Sequence, residues 1–235
     1  MHSEKAYVFS PSLASLPITE SASRFPVRRI YCVGRNYVSH IREMKEGDER
    51  DPPFFFQKPA DSLVMDGGEV PYPSATEDFQ YEVELIVAIG TGGAFIPVTR
   101  ALDHVYGYAV GLDMTRRDLQ REARERQLPW EPGKSFDHSA PCGAIYRKGA
   151  VGHLASGAIK LFVNGAERQQ GNLQQMIWNV PEIIANLSLQ YRLEPGDLIF
   201  TGTPAGVGPV VVNDRLYAVI EGLGTLSVTI TPKEI

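Results

Sequence analysis

Two carboxylates stand at positions i and i+2 in the segment QYEVELIVAI, Glu82 and Glu84, and a third, Asp113, closes the apolar run YAVGL. Alternate residues of a strand project to one face, here with Cα atoms roughly 7 Å apart, so Glu82 and Glu84 can converge on one point. Two ionised carboxylates that close repel each other, burial raises the cost, and a divalent cation between them removes the conflict. Oxygen ligands of this kind suit magnesium, manganese or calcium better than zinc. The same spacing also lines the wet face of many half-exposed strands. Here the face continues with Ile86 and Ala88, which a solvent side would not carry. Asp113 adds to the acid set, and reads equally as a cap for the segment that follows it.

Other groups could serve those acids. His40 and Glu43 lie at i, i+3 on a short helical stretch, where a carboxylate orients an imidazole and raises its basicity. An exposed pair of that kind is also a common surface ornament. Arg117 and Gln120 share a helix face near its N-terminus, a grip for a substrate carboxylate. Their neighbours Arg116, Arg121, Glu122, Arg124, Glu125 and Arg126 read as a solvated charged surface. Lys134 follows the stiff sequence WEPG, which can project an ammonium inward, although a surface lysine is the ordinary alternative. The stretch TGTPAGVG, residues 201–208, offers amides and hydroxyls to an anion. It lacks the lysine and following helix of a P-loop, which argues against a nucleotide and leaves a tight turn as the other reading.

The elements that must position these groups are mostly strands. Residues 80–89 alternate cleanly, with Tyr81, Val83, Leu85, Val87 and Ile89 on one face. Residues 105–112 form a second apolar strand, and 113–127 predict a polar helix with Thr115 as its N-cap. Asn164-Gly165 marks a hairpin, and Asn179, Pro181 and Glu182 open a helix with the stripe Ile183, Ile184, Leu187. Shorter strands are expected over 6–9, 29–33, 54–57, 198–201 and 226–230, a helix over 37–45 and a loop over 46–53. Strands outnumber helices without alternating with them, so the pattern predicts a mainly β, α+β single domain over 26–235 behind a short extension, 1–25. The net charge of −5 disfavours nucleic acid and anionic membranes as partners, and no run approaches the ~20 apolar residues of a membrane span. Two cysteines without metal-ligand spacing, and no leader-like N-terminus, predict a cytoplasmic protein.

Several blocks in order resemble the fumarylacetoacetate hydrolase family: YCVGRNYVSHIREM (31–44), FFQKP (55–59), YEVEL (81–85), GYAVGLDMTRRDLQ (107–120), GKSF (133–136) and EPGDLIFTGTPAGVGP (194–209). The resemblance implies a mixed β-sandwich roll with a few short helices, a homodimer, and one Mg2+ or Mn2+ per site held by Glu82, Glu84 and Asp113. It implies a His40–Glu43 dyad on a lid that orders over substrate. Arg117, Gln120, Lys134 and Thr203 match residues holding an oxo-acid end, and Lys58 falls in a matching block with an open role. The length suits the acylpyruvate-hydrolase branch, without the extra N-terminal domain of the large animal enzymes.

The expected chemistry is therefore carbon–carbon hydrolysis of a small anionic 2-oxo acid. Arg117 and Gln120 would fix its carboxylate, His40 would deprotonate the attacking water, and Lys134 would stabilise the departing pyruvate enolate. Fumarylpyruvate, giving fumarate and pyruvate at the end of gentisate breakdown, is the preferred substrate on block-level similarity. Its second carboxylate needs a further cation, for which Arg35 and Lys58 are candidates. Oxaloacetate decarboxylation and isomerisation or hydration of 2-oxo dienoic acids are the enzymatic alternatives. A calcium-stabilised binding protein is the non-enzymatic one, and has no use for His40, Glu43 or Lys134.

Overall fold

The alternating run around the acid pair folds as two strands, Phe79–Tyr81 and Val83–Ile89, parted at Glu82. The structure, a computed structural model, describes residues 8–10, 12–38 and 51–233. Val83–Ile89 is buried along its whole length because apolar layers cover both of its faces. Leu85, Val87 and Ile89 join one core, while Ile86 and Ala88 join another with Ile30, Cys32, Leu198 and Phe200. The continuation of the acid face into apolar residues is thus core.

Val83–Ile89 lies mid-sheet in a mixed eight-stranded array. The strand order is Phe54–Lys58, Ile30–Gly34, Leu198–Phe200, Val83–Ile89, Val105–Leu112, Ala140–Cys142, Leu63–Met65, with Tyr146–Arg147 also on Val105–Leu112. Three strands separate Phe54–Lys58 from Val105–Leu112. At ~4.8 Å per strand, a flat sheet would hold them roughly 19 Å apart. Yet the Lys58 ammonium lies 2.8 Å from Asp113 Oδ1, beyond the end of the second of these strands. The sheet is therefore strongly curled, and its concave side receives the polar side chains.

A five-stranded sheet, Ala166–Asn172, Ala158–Val163, Arg215–Ile220, Gly224–Thr231 and Glu69–Pro71, supplies the other layer. Its inward residues Ile159, Leu161, Leu216, Ala218, Leu226 and Val228 meet Leu85 and Val87 in the larger core. The expected hairpin turns at Asn164 and Gly165, both with positive φ (51° and 81°), the conformation a two-residue turn of this twist requires. Helix Val180–Gln190 starts at the expected capping box, Asn179 with Glu182, and buries Ile183, Ile184 and Leu187. A hairpin of Ser15–Pro17 and Arg24–Pro26 places Leu16 and Phe25 in the smaller core.

Two expectations are corrected. The polar helix begins at Arg117, not near Asp113, and ends at Glu125. Thr115–Arg116 instead pairs with Phe79–Gln80, and the Thr115 hydroxyl donates to the Asp113 carbonyl, so it caps nothing. Of the short strand expected over 6–9, residues 6 and 7 lie outside the described residues, and 8–9 are not strand. The helix expected over 37–45 lies almost wholly outside them, and Tyr37 forms an isolated bridge to Met176.

Candidate metal centre and active site

Register brings the acids together. Val83 pairs with Leu112 and Glu84 with Gly111, so the next residue after Leu112 falls opposite Glu82, and the Asp113 amide donates to the Glu82 carbonyl at 2.8 Å. Ligand oxygens of Glu82, Glu84 and Asp113 lie within 4.8 Å of one another, and all three residues are at most 5% exposed. Buried carboxylates this close demand positive charge.

Three buried cations answer two of the acids. Arg117 ion-pairs with Glu82, and its other nitrogens donate to Gln80 (2.8 Å) and Gln120 (2.5 Å). Lys134, the last residue of the short helix Glu131–Lys134, bridges Glu82 Oε2 (2.9 Å) and Asp113 Oδ2 (2.8 Å) and donates to Thr115 at 2.7 Å. Lys58 pairs with Asp113 and donates to the carbonyls of Met114 (3.1 Å) and Lys134 (2.5 Å). Burial pulls the Lys134 ammonium toward neutrality, but Asp113 and Glu82 outweigh it and hold its pKa above the ordinary lysine value. Lys134 therefore stays charged, suited to stabilising an oxyanion and unsuited to abstracting a proton.

Glu84 is treated differently. It accepts from a backbone amide, Gly202 N–H at 2.7 Å, and forms no ion pair among the described residues. Burial first, then Asp113 and Glu82, push its carboxyl well above the usual range. A carboxyl left without a counter-charge beside two held carboxylates is what a hard divalent cation would relieve. Asp113 Oδ1 is buried without a hydrogen bond, and the oxygens that do accept one keep a second lone pair for a metal. The donor set fits Mg2+ or Mn2+.

Arg35, Phe56 and Trp130 close the cavity beside the acids, with Arg117, Gln120 and Thr203 also on its wall. Arg35 has a left-handed backbone (φ 59°), and its guanidinium lies 5.4 Å from the Phe54 ring centroid. Phe54 meets Trp130 edge-on at 5.0 Å. A Cβ on Gly34 would fall 2.0 Å from the Phe54 ring, so only glycine lets that ring lie across the strand. Thr203 accepts from Gln169 Nε2 at 2.8 Å, and Gln169 Oε1 accepts from the Val83 amide at 2.9 Å.

The structure thus gathers Glu82, Glu84, Asp113, Arg117, Gln120, Lys134, Lys58, Thr203 and Arg35 in one place. His40 and Glu43 lie outside the described residues. Two contributors escaped sequence reasoning. Gln169 sits on a hairpin strand remote in sequence and is its one buried residue. Asn36 is buried among the carbonyls of Trp178 and Thr201, inside a block whose resemblance was noted without a role for it.

Comparison with known proteins agrees with this geometry. The family model described as fumarylacetoacetate (FAA) hydrolase C-terminal matches residues 29–231. A fumarylpyruvate hydrolase from Pseudomonas aeruginosa, solved in complex with Mn2+ and pyruvate, superposes with a TM-score of 0.95 at 52% identity, covering 97% of this chain and 100% of that one. A fumarylpyruvate hydrolase from Ralstonia sp is 47% identical over 182 residues, 77% of this chain and 94% of the relative. The human mitochondrial oxaloacetate tautomerase is 40% identical over 207 residues, 88% of this chain and 93% of that protein.

Proposed function

The chain belongs to the fumarylacetoacetate hydrolase family, and from that membership we propose that it hydrolyses the carbon–carbon bond of an acylpyruvate, with fumarylpyruvate as preferred substrate. The observation that carries the reading is the buried triad Glu82, Glu84 and Asp113, converging within 4.8 Å beside the Lys134 ammonium. These three residues would hold Mg2+ or Mn2+, which supplies Lewis acidity to the 2-oxo end of the substrate.

The remaining work falls to side chains. Arg117 and Gln120 fix the pyruvoyl carboxylate, and Thr203, held by Gln169, fixes the same end. His40, oriented by Glu43, takes a proton from water as its oxygen bonds to the more distant carbonyl carbon. The bond between that carbon and the methylene then breaks. Its electron pair moves into the pyruvate enolate, whose oxygen Lys134 stabilises, and the methylene carbon is protonated to give pyruvate. The acyl half leaves as fumarate with the oxygen of water. Arg35, on the aromatic wall, receives the far carboxylate, while Lys58 acts by holding Asp113 and the Lys134 backbone. As part of the same proposal the protein works as a cytoplasmic homodimer, and its two buried, unpaired cysteines suit a reducing compartment.

Oxaloacetate chemistry is the second reading, favoured by the 40% identity to the human tautomerase. A spectrophotometric screen separates the two. Loss of the diketone absorbance with release of pyruvate and an acid, dependent on Mg2+ or Mn2+, is expected with fumarylpyruvate. Turnover of oxaloacetate alone, with carbon dioxide release or keto–enol exchange, would replace hydrolysis by the alternative.

A further inference from the structure

Glu82 is braced by Arg117 and Lys134, and Asp113 by Lys58 and Lys134, whereas Glu84 leans on the Gly202 amide. What aims that amide decides where Glu84 points. The Thr201 carbonyl and the Gly202 N–H belong to one planar trans peptide and point in opposite directions. The Gly202 N–H donates to Glu84 Oε2 at 2.7 Å, and on the other side the Thr201 carbonyl accepts from Asn36 Nδ2, also at 2.7 Å. Turning the peptide to improve one bond breaks the other.

Asn36 is itself rigidly held. Nδ2 also donates to the Trp178 carbonyl at 2.9 Å, Oδ1 accepts from the Trp178 amide at 2.7 Å, and the Asn36 carbonyl accepts from the Ile177 amide at 2.8 Å. The residue is 1% exposed. It packs so tightly against Gly202 (φ 95°) that a Cβ there would lie 2.6 Å from Asn36 Cβ. The geometry demands two donated protons and one accepted proton from a short side chain, which asparagine alone supplies. A serine hydroxyl has one proton to give; an ionised aspartate would set oxygen against two carbonyl oxygens.

We propose that Asn36 is a positioning residue, which aims the Thr201–Gly202 peptide and through it Glu84, and so sets the affinity of the site for its divalent cation. This inference rests on the reading of Glu84 as a metal ligand.

The test is a calorimetric titration of Mn2+ into metal-stripped wild type, Asn36→Ala and Asn36→Ser, beside Ser188→Ala. Ser188 is a buried hydroxyl that accepts from the Ile96 amide and takes no part in the site. Asn36→Ala is expected to bind Mn2+ at least tenfold more weakly, and Asn36→Ser to follow it. Ser188→Ala is expected to melt at lower temperature with its Mn2+ affinity unchanged. Affinity in Asn36→Ala within twofold of wild type would overturn the proposal, as would equal weakening in Ser188→Ala, the mark of general destabilisation. Should Asn36→Ala not fold, Asn36→Ser decides by the same criterion. Wild type that binds no Mn2+ would instead sink the metal reading itself.

Discussion

Glu84 is the least supported of the three acids and so the most informative to change. Its carboxyl is pushed up by burial and by Asp113 and Glu82, yet a cation takes only the ionised form. Binding of Mn2+ should therefore expel a proton, and affinity should rise with pH until Glu84 ionises unaided. Titrations over a range of pH from mildly acidic to neutral, in buffers of different ionisation enthalpy, read the proton directly; binding without release anywhere in that range would contradict the linkage. Glu84→Ala should lose more affinity than the ~10–100-fold typical of outer partners of a metal. Lys134→Met, which keeps the stem and removes the charge, should lower kcat by about 10²–10³-fold. His40→Ala should keep Mn2+ affinity and lose about 10²–10⁴-fold in kcat; unchanged turnover would refute the base assignment. The period of two made Glu82 and Glu84 readable as a pair from the residues alone. Gln169 and Asn36 were not, because the groups they hold, the Val83 amide and the Thr201 carbonyl, come from remote chain whose nearness no local pattern encodes.

Among the elements, helix Arg117–Glu125 shows how tertiary pairing overrides a local signal. Thr115 has the chemistry of a cap, but strand pairing with Gln80 and the bond from Lys134 claim it first. Asp118 takes over at the helix start, accepting from the Thr76 hydroxyl at 2.5 Å and the Glu77 amide at 2.9 Å. Partial burial works against its charge, but these bonds and that from Leu119 win and hold its pKa below the usual value. A depressed folded-state pKa contributes stability above the unfolded value near 3.9, and that stability is lost as pH falls through the folded value. Asp118→Ala should thus cost about 1–2 kcal/mol at pH 7 and progressively less in acid. Thermal melts at pH 7 and pH 3 check this, and equal losses at both would contradict it. The hairpin at Asn164-Gly165 and the Asn179 capping box needed no such correction. In both, the deciding contacts lie within a few residues, so the local chain carries all the information.

At the scale of the molecule, curl is the property that local patterns do not reveal. Alternation over 80–89 and the apolar run over 105–112 announced a β-rich body, but the close approach of Lys58 to Asp113 shows the edge strand folding back over the acids. That closure makes the site dry enough for a few charges to matter. Because Glu82 and Glu84 lie on one segment and Asp113 at the end of the neighbouring strand, a cation they share should also clamp the fold. At a free concentration of 100 times its Kd it should add about 2.7 kcal/mol to stability. Melting of the stripped protein with and without Mn2+ reads this, and no shift would argue against a shared site. The most direct measurement follows turnover of fumarylpyruvate while Mn2+ is titrated into the stripped protein. Activity is expected to be absent at the start and to rise in step with occupancy, reaching its plateau at one ion per chain. Full turnover in the presence of chelator, or one ion bound without any cleavage, would contradict the assignment of Glu82, Glu84 and Asp113 as the centre of a hydrolase.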